Sequence, residues 1–123
     1  MQFDVRRAVI GDEAVLRALR LRALTDEPTA FSSTYERELA RTTEDWRRWL
    51  APGVAFILRT GGEPYGLVAG RHDPQDSSVV DLMAMWVHPD HRGTGAADEL
   101  ISSVKAWAMQ EGATQVRLNV VES

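Results

Sequence analysis

Hydrophobic and polar positions change their period several times along the chain, and each change marks an element. Phe3 and Val5, then Ala8, Val9 and Ile10, predict an opening strand. Gly11-Asp12 ends it, and Asp12 is placed to cap a helix whose inner face holds Leu16, Leu19 and Ala23. That helix stops before Pro28, and Thr29 to Ser33 reads as a loop carrying Phe31. A second helix is expected from about Thr42, where Thr42-x-x-Asp45 resembles a capping box and Trp46, Trp49 and Leu50 share a face. Pro52-Gly53 halts it, and the apolar run Val54-Ala55-Phe56-Ile57-Leu58 predicts a buried strand.

Thr60-Gly61-Gly62-Glu63 supplies a hairpin turn, and Tyr65 to Gly70 returns as the partner strand. Residues 73–78 form a polar loop rich in breakers. Val79 to Val87 is the strongest strand signal, ended by Pro89. From Gly95 to Glu111, Ala97, Leu100, Ile101, Val104 and Ala108 form one helical stripe, closed by Gly112. Val116, Leu118 and Val120 alternate in a final strand. The order is β-α-α-β-β-β-α-β, and its last strand, helix and strand predict a right-handed crossover between parallel strands. No repeat or linker divides residues 1–123, which predicts one α/β domain with a mixed sheet.

Composition narrows the function classes. Hydrophobic residues make up 44% and charged residues 26% of 123, as in a globular domain. No apolar run is long enough to span a bilayer, and the N-terminus lacks the layout of a signal peptide, so no membrane role and a cytoplasmic location are expected. The absence of cysteine excludes disulfides and a thiol nucleophile. With 14 basic against 18 acidic residues the net charge is −4, a poor match to nucleic acid and a mild lean towards cationic ligands. Two arginine-dense stretches, 17–22 and 41–48, read as solvated helix faces.

The chemistry concentrates after the 79–87 strand. His88-Pro89-Asp90-His91 turns the chain, and Arg92-Gly93-Thr94-Gly95-Ala96-Ala97 leads into the helix. The first turn of a helix has N–H groups without intrahelical partners, at the positive end of its dipole. Gly93 and Gly95 remove side chains where a ligand would meet the backbone, Ala96 and Ala97 stay small, and Arg92 adds a cation. Together they suit a diphosphate. A glycine pair before a helix also serves as a plain tight turn. A P-loop is excluded because Ala96-Ala97 follow Gly95, and a dinucleotide fingerprint because Asp98 takes the third glycine position.

The stretch from Leu82 through Val87-His88-Pro89 to Arg92-Gly93-Thr94-Gly95-Ala96-Ala97 resembles the acetyl-CoA motif of the GNAT family of N-acetyltransferases, Gln/Arg-x-x-Gly-x-Gly/Ala after a strand ending in Val-x-Pro. Residues 17–24 and 30–36 also look like small bacterial members, and the element order agrees. The resemblance implies an acyl-CoA N-acyltransferase-like fold, a mixed, mostly antiparallel sheet with helices on both faces. It implies acetyl transfer from acetyl-CoA to a primary amine by direct attack, without a metal. A non-catalytic acyl-CoA-binding or interaction module is the alternative.

Carried over residue by residue, the backbone of Arg92, Gly93, Thr94, Gly95, Ala96 and Ala97 would bind the pyrophosphate. Met85, Trp86 and Val87 would pair with the pantetheine arm, and an N–H near Val87 would polarise the acetyl carbonyl. Asp81 is the candidate base: it precedes Val87 by six residues, so period-two alternation puts both on one face, and family members often carry a glutamate there. An ion pair with an arginine is the other reading of Asp81. His88 and His91 fit a structural turn and His72 a surface loop. Trp46 and Trp49 fit the core, with an acceptor pocket as the other reading. Phe31 and Tyr35 fall where similar enzymes have their acceptor-side loop. The family's last helix and strands, with the tyrosine that protonates the leaving thiolate, have no counterpart after Asn119. This suggests a C-terminally incomplete domain, a tail supplied by a partner, or a degenerate module. An exposed edge at strand 115–121 favours a homodimer.

Overall fold

The computed structural model describes residues 3–27 and 33–118. Five strands form one sheet in chain order: β1 (Asp4–Arg7), β2 (Val54–Thr60), β3 (Glu63–Asp73), β4 (Asp76–Val87) and β5 (Gln115–Leu118). Neighbours are antiparallel except β4 and β5, which run parallel. Parallel neighbours need a crossover, and helix α4 (Ala96–Gln110) provides it. The remaining helices, α1 (Glu13–Asp26), α2 (Tyr35–Leu39) and α3 (Thr43–Arg47), precede β2. The mixed, mostly antiparallel sheet with helices on both faces is the architecture expected from the sequence. The five-residue α2, capped by Thr34 Oγ1 accepting from the Arg37 N–H at 3.2 Å, is an addition to the predicted order.

Two cores flank the sheet. On one face Leu16, Leu19 and Ala23 of α1 and Trp46 of α3 pack on Ala55, Ile57, Leu67 and Trp86. On the other, Leu100, Val104 and Trp107 of α4 pack on Val54, Leu58, Val68, Val80, Leu82 and Val87. Burial on both faces explains why β2 reads as an unbroken apolar run rather than an alternating one. Gly61 and Gly62, at φ +58° and +86°, form the two-residue turn between β2 and β3, as right-twisted hairpins require. The α2 helix is tied to α1 through Glu38, whose fully buried carboxylate accepts from Arg20 Nε at 3.0 Å and from Arg41 Nε.

Several boundaries differ from the sequence reading. β1 ends at Arg7, and Val9 and Ile10 are exposed. Asp12 does not cap α1: its Oδ2 turns back to accept from the Val9 N–H at 2.9 Å, closing a turn where the strand was expected to continue. The capping box of α3 forms as expected, with Thr42 and Asp45 exchanging bonds. The polar 73–78 loop shrinks to Pro74-Gln75, because Asp73 Oδ1 takes the Gln75 N–H and Asp76 Oδ1 takes the Ser78 N–H, which lets both strands run into the turn. In α4 the buried alanine of the first turn is Ala96, while Ala97 faces outward.

The largest departure is inside β4. Leu67 lies opposite Trp86 but Ala69 lies opposite Met83, so β4 uses three steps where β3 uses two. Ala84 sits within this extra step at φ +60°, a β-bulge in a left-handed residue. The phase of the strand flips across it. Val80 and Leu82 face α4 before the bulge and Met83 faces α1 and α3; after it Val87 faces α4 and Trp86 faces α1. Asp81 and Val87 therefore lie on opposite faces of the sheet, a correction to the alternation argument.

Candidate active site

The turn after β4 is built by backbone geometry. Pro89–His91 forms a single 3₁₀ turn, with His88 Nδ1 accepting from the Asp90 N–H at 3.0 Å. His91 is buried, its ring 4.2 Å from that of Tyr65. Thr94 Oγ1 donates to the His91 carbonyl at 2.5 Å. Both histidines and Thr94 thus shape the turn. Gly93 and Gly95 stand at φ +76° and +89°, and a Cβ built on either meets nothing within 4 Å. Their backbone needs glycine for its conformation, and the space above it is open. Gly95 is the N-cap of α4 and no side chain caps that helix, so its first N–H groups are left to a ligand. Val87, His91, Arg92, Gly93, Gly95, Ala97 and Asp98 line a recess of about 210 Å³ there.

Arg92 lines the recess and also braces the turn. Its Nε donates to the Val87 carbonyl at 3.0 Å, and its terminal nitrogen lies 3.0 Å from Asp26 Oδ2 and 3.5 Å from Glu27. The guanidinium therefore braces the turn against the end of α1. Asp26 Oδ2 also accepts from Trp86 Nε1 at 3.1 Å. The Trp86 bond first, then Arg92, hold the Asp26 carboxyl below its ordinary range. Nothing in the sequence flagged Asp26, since its donors lie 60 and 66 residues away.

Alongside the turn, β4 has a side that no described strand covers. Among the described residues β5 pairs with Val79–Leu82 only, and Met83–Val87 meets no strand on that side. Met85, Trp86 and Val87 thus have no described strand on that side, and Val87 also lines the Gly93–Gly95 recess.

Asp81 is buried, and Arg117 Nε donates to its Oδ1 at 2.7 Å while Arg117 Nη2 reaches Asp73 at 2.8 Å. The two carboxylates, Asp81 foremost, raise the Arg117 pKa further above its ordinary value. The ion pair clasps β4 to β5 opposite the register pair Asp81–Arg117. Arg117 was missed in the sequence because parallel register cannot be counted across a helical crossover.

A second concavity, about 420 Å³, opens on the face of α3. Arg41, Asp45, Arg48 and Trp49 line it from the helical side, and Ala69, Arg71 and Met83 from the sheet. Met83 immediately precedes the bulge residue Ala84, so this cleft approaches the bulge in β4 from the face opposite α4. Trp46 is buried in the core and does not line this cleft, whereas Trp49 serves both core and cleft. Tyr35 is exposed at the start of α2 and lines neither concavity, and Phe31 lies outside the described residues. The His72 ring packs on Trp107 of α4, 5.4 Å away, and its Nδ1 meets the Ser77 carbonyl at 2.8 Å. Among the described residues no cluster of three or more His, Asp or Glu could hold a metal ion, and no helix is long and apolar enough to cross a membrane.

Comparison with known proteins agrees with this geometry. Mycothiol acetyltransferase of Thermobispora bispora is 29% identical over 116 residues, covering 91% of this chain and 38% of that protein. Thialysine N-epsilon-acetyltransferase of Bos taurus is 32% identical over 76 residues, 56% of this chain and 45% of that one. The chain spans less than half the length of the curated relatives it matches. The solved aminoglycoside N-acetyltransferase AAC(6')-Iy, in complex with CoA, superposes with a TM-score of 0.73 at 26% identity, over 96% of this chain and 76% of that one. The model of the acetyltransferase (GNAT) family matches residues 18–123. With that match over most of its length, and with the strand, bulge, turn and helix just described, the chain belongs to the GNAT family of acetyltransferases.

Proposed function

We propose that the protein transfers an acetyl group from acetyl-CoA to a primary amine by direct nucleophilic attack. The observation that carries this reading is the uncapped start of α4 behind two left-handed glycines, next to the side of β4 that no described strand covers. The residues fit the donor: the recess has room above Gly93 and Gly95, and Ala96 and Ala97 add no bulk. The N–H groups from Gly93 to Ala97 would bind its pyrophosphate. Met85, Trp86 and Val87 would pair with its pantetheine arm, the Val87 carbonyl excepted because Arg92 already occupies it. Arg92 acts by fixing the turn. Bound acetyl-CoA supplies a thioester carbonyl open to a neutral amine, the C–S bond breaking as the C–N bond forms. The amine enters through the cleft under α3, and its proton passes through water to Asp81 on the same face.

The ion pair of Asp81 with Arg117 favours a second reading, a module that binds acyl-CoA without turnover. Two measurements decide between them. Calorimetry is expected to give CoA binding that Gly95→Glu weakens by more than about tenfold, because the new carboxylate fills and repels the phosphate recess. Equal affinity in the variant would overturn both readings. Thiol release with amines supports transfer, and tight CoA binding with no release from any amine supports the module.

A further inference from the structure

We infer that the amine acceptor carries a carboxylate, which the arginines of the cleft under α3 bind; this rests on the transferase reading above. Three guanidinium groups line the cleft, Arg41, Arg48 and Arg71, against one carboxylate, Asp45. Arg41 is balanced from behind by Glu38 and stacked on indoles, its Cζ 5.3 Å from the Trp46 ring and 5.7 Å from that of Trp49. Arg48 meets Asp45 at 3.2 Å, with its side chain 69% exposed. Among the described residues Arg71 has no hydrogen bond or ion pair, although it faces Asp81 in register on β4. Asp81 Oδ1 bonds to Arg117 instead. The excess positive charge in the cleft thus comes to rest on Arg71, on the sheet side.

This local charge is opposite in sign to the chain's net charge of −4. A cleft that selected polyamines or other polycations would repel them with Arg71 and Arg48, and like charges in such a site cost affinity. A guanidinium fork matches a carboxylate with two parallel N–H bonds. Trp49 and Met83 form the apolar part of the wall. An acceptor with its carboxylate at Arg71 and its amine towards Met83 would present the nitrogen at the bulge in β4. The chemistry is that of an amino acid or another amino-carboxylic acid.

Initial rates of thiol release from acetyl-CoA would be measured with matched acceptors. The pairs are phenylalanine and phenylalaninamide, lysine and lysinamide, and β-alanine and β-alaninamide, with cadaverine as a carboxylate-free diamine. The acid is expected to exceed its amide by about tenfold or more in kcat/KM in at least one pair, a charge-assisted pair being the difference. Arg71→Gln is expected to reduce that ratio about tenfold, through KM, with CoA affinity by calorimetry retained. Amides or cadaverine turned over as well as the acids would overturn the inference and leave the transferase standing. An Arg71→Gln enzyme with an unchanged acid-to-amide ratio would overturn it too. No thiol release with any acceptor would instead remove the transferase reading on which it rests.

Discussion

Asp26 accepts from two donors that are distant in sequence, and its charge is what makes both bonds strong. Because Trp86 and Arg92 favour the ionised form, its folded pKa lies below the reference value of 3.8. A carboxyl lowered in this way stabilises the fold fully above its unfolded pKa, and that stability is lost as pH falls through the folded value. Asp26→Asn should therefore lower the urea midpoint at neutral pH. The gap from the parent should close as pH is taken below about 3.8, the parent losing what the variant never had. A gap that is constant with pH would show that charge is not the cause. The same residue shows what a sequence cannot disclose. Gly93 and Gly95 announce themselves, since a turn of this kind admits little else. Asp26 looks like any acid at a helix end until the fold brings Trp86 and Arg92 to it.

At the scale of elements, the bulge in β4 is the feature that periodicity concealed. The sequence from Val79 to Val87 alternates well enough to predict a strand, and an inserted residue leaves no mark when both faces are buried. Val80 and Leu82 before it, and Trp86 and Val87 after it, are all apolar. The order of the strands, the apolar stripe of α4 and the α3 capping box were legible because each rests on local chemistry: alternation, helical spacing, and a side chain meeting the backbone three residues on. Register and phase depend on partners far along the chain. Ala84 holds its φ of +60° with a Cβ, a conformation that costs about 1–2 kcal/mol for most residues. Ala84→Gly should be neutral or stabilising in urea unfolding. Ala84→Val, branched at Cβ, should destabilise by about 1–2 kcal/mol or more. A Val variant as stable as the parent would mean that the bulge relocates easily.

For the whole molecule, one sheet separates two cores, so neither core has a strand to itself. Leu100 and Trp107 of α4 are buried in one of them, and Trp46, Trp49 and Trp86 in the other, so indole fluorescence reports on both. Leu100→Ala should cost about 2–5 kcal/mol. The loss should appear equally in indole fluorescence and far-UV circular dichroism, as expected when a small domain unfolds in one step. Separate midpoints for the two signals would show that the domain does not unfold in one step. The bulge at Ala84 also has a consequence for how such a molecule can diversify. On the proposed reading it lies between a donor side, organised by α4 and the turn, and an acceptor cleft lined from around α3 and from Ala69, Arg71 and Met83 of the sheet. On that reading, substitutions at Arg48 or Arg71 would remodel acceptor choice without touching the recess at Gly93 and Gly95, whose left-handed backbone constrains drift there whatever the acceptor. Selectivity and donor recognition are thereby free to evolve at different rates within a single small sheet.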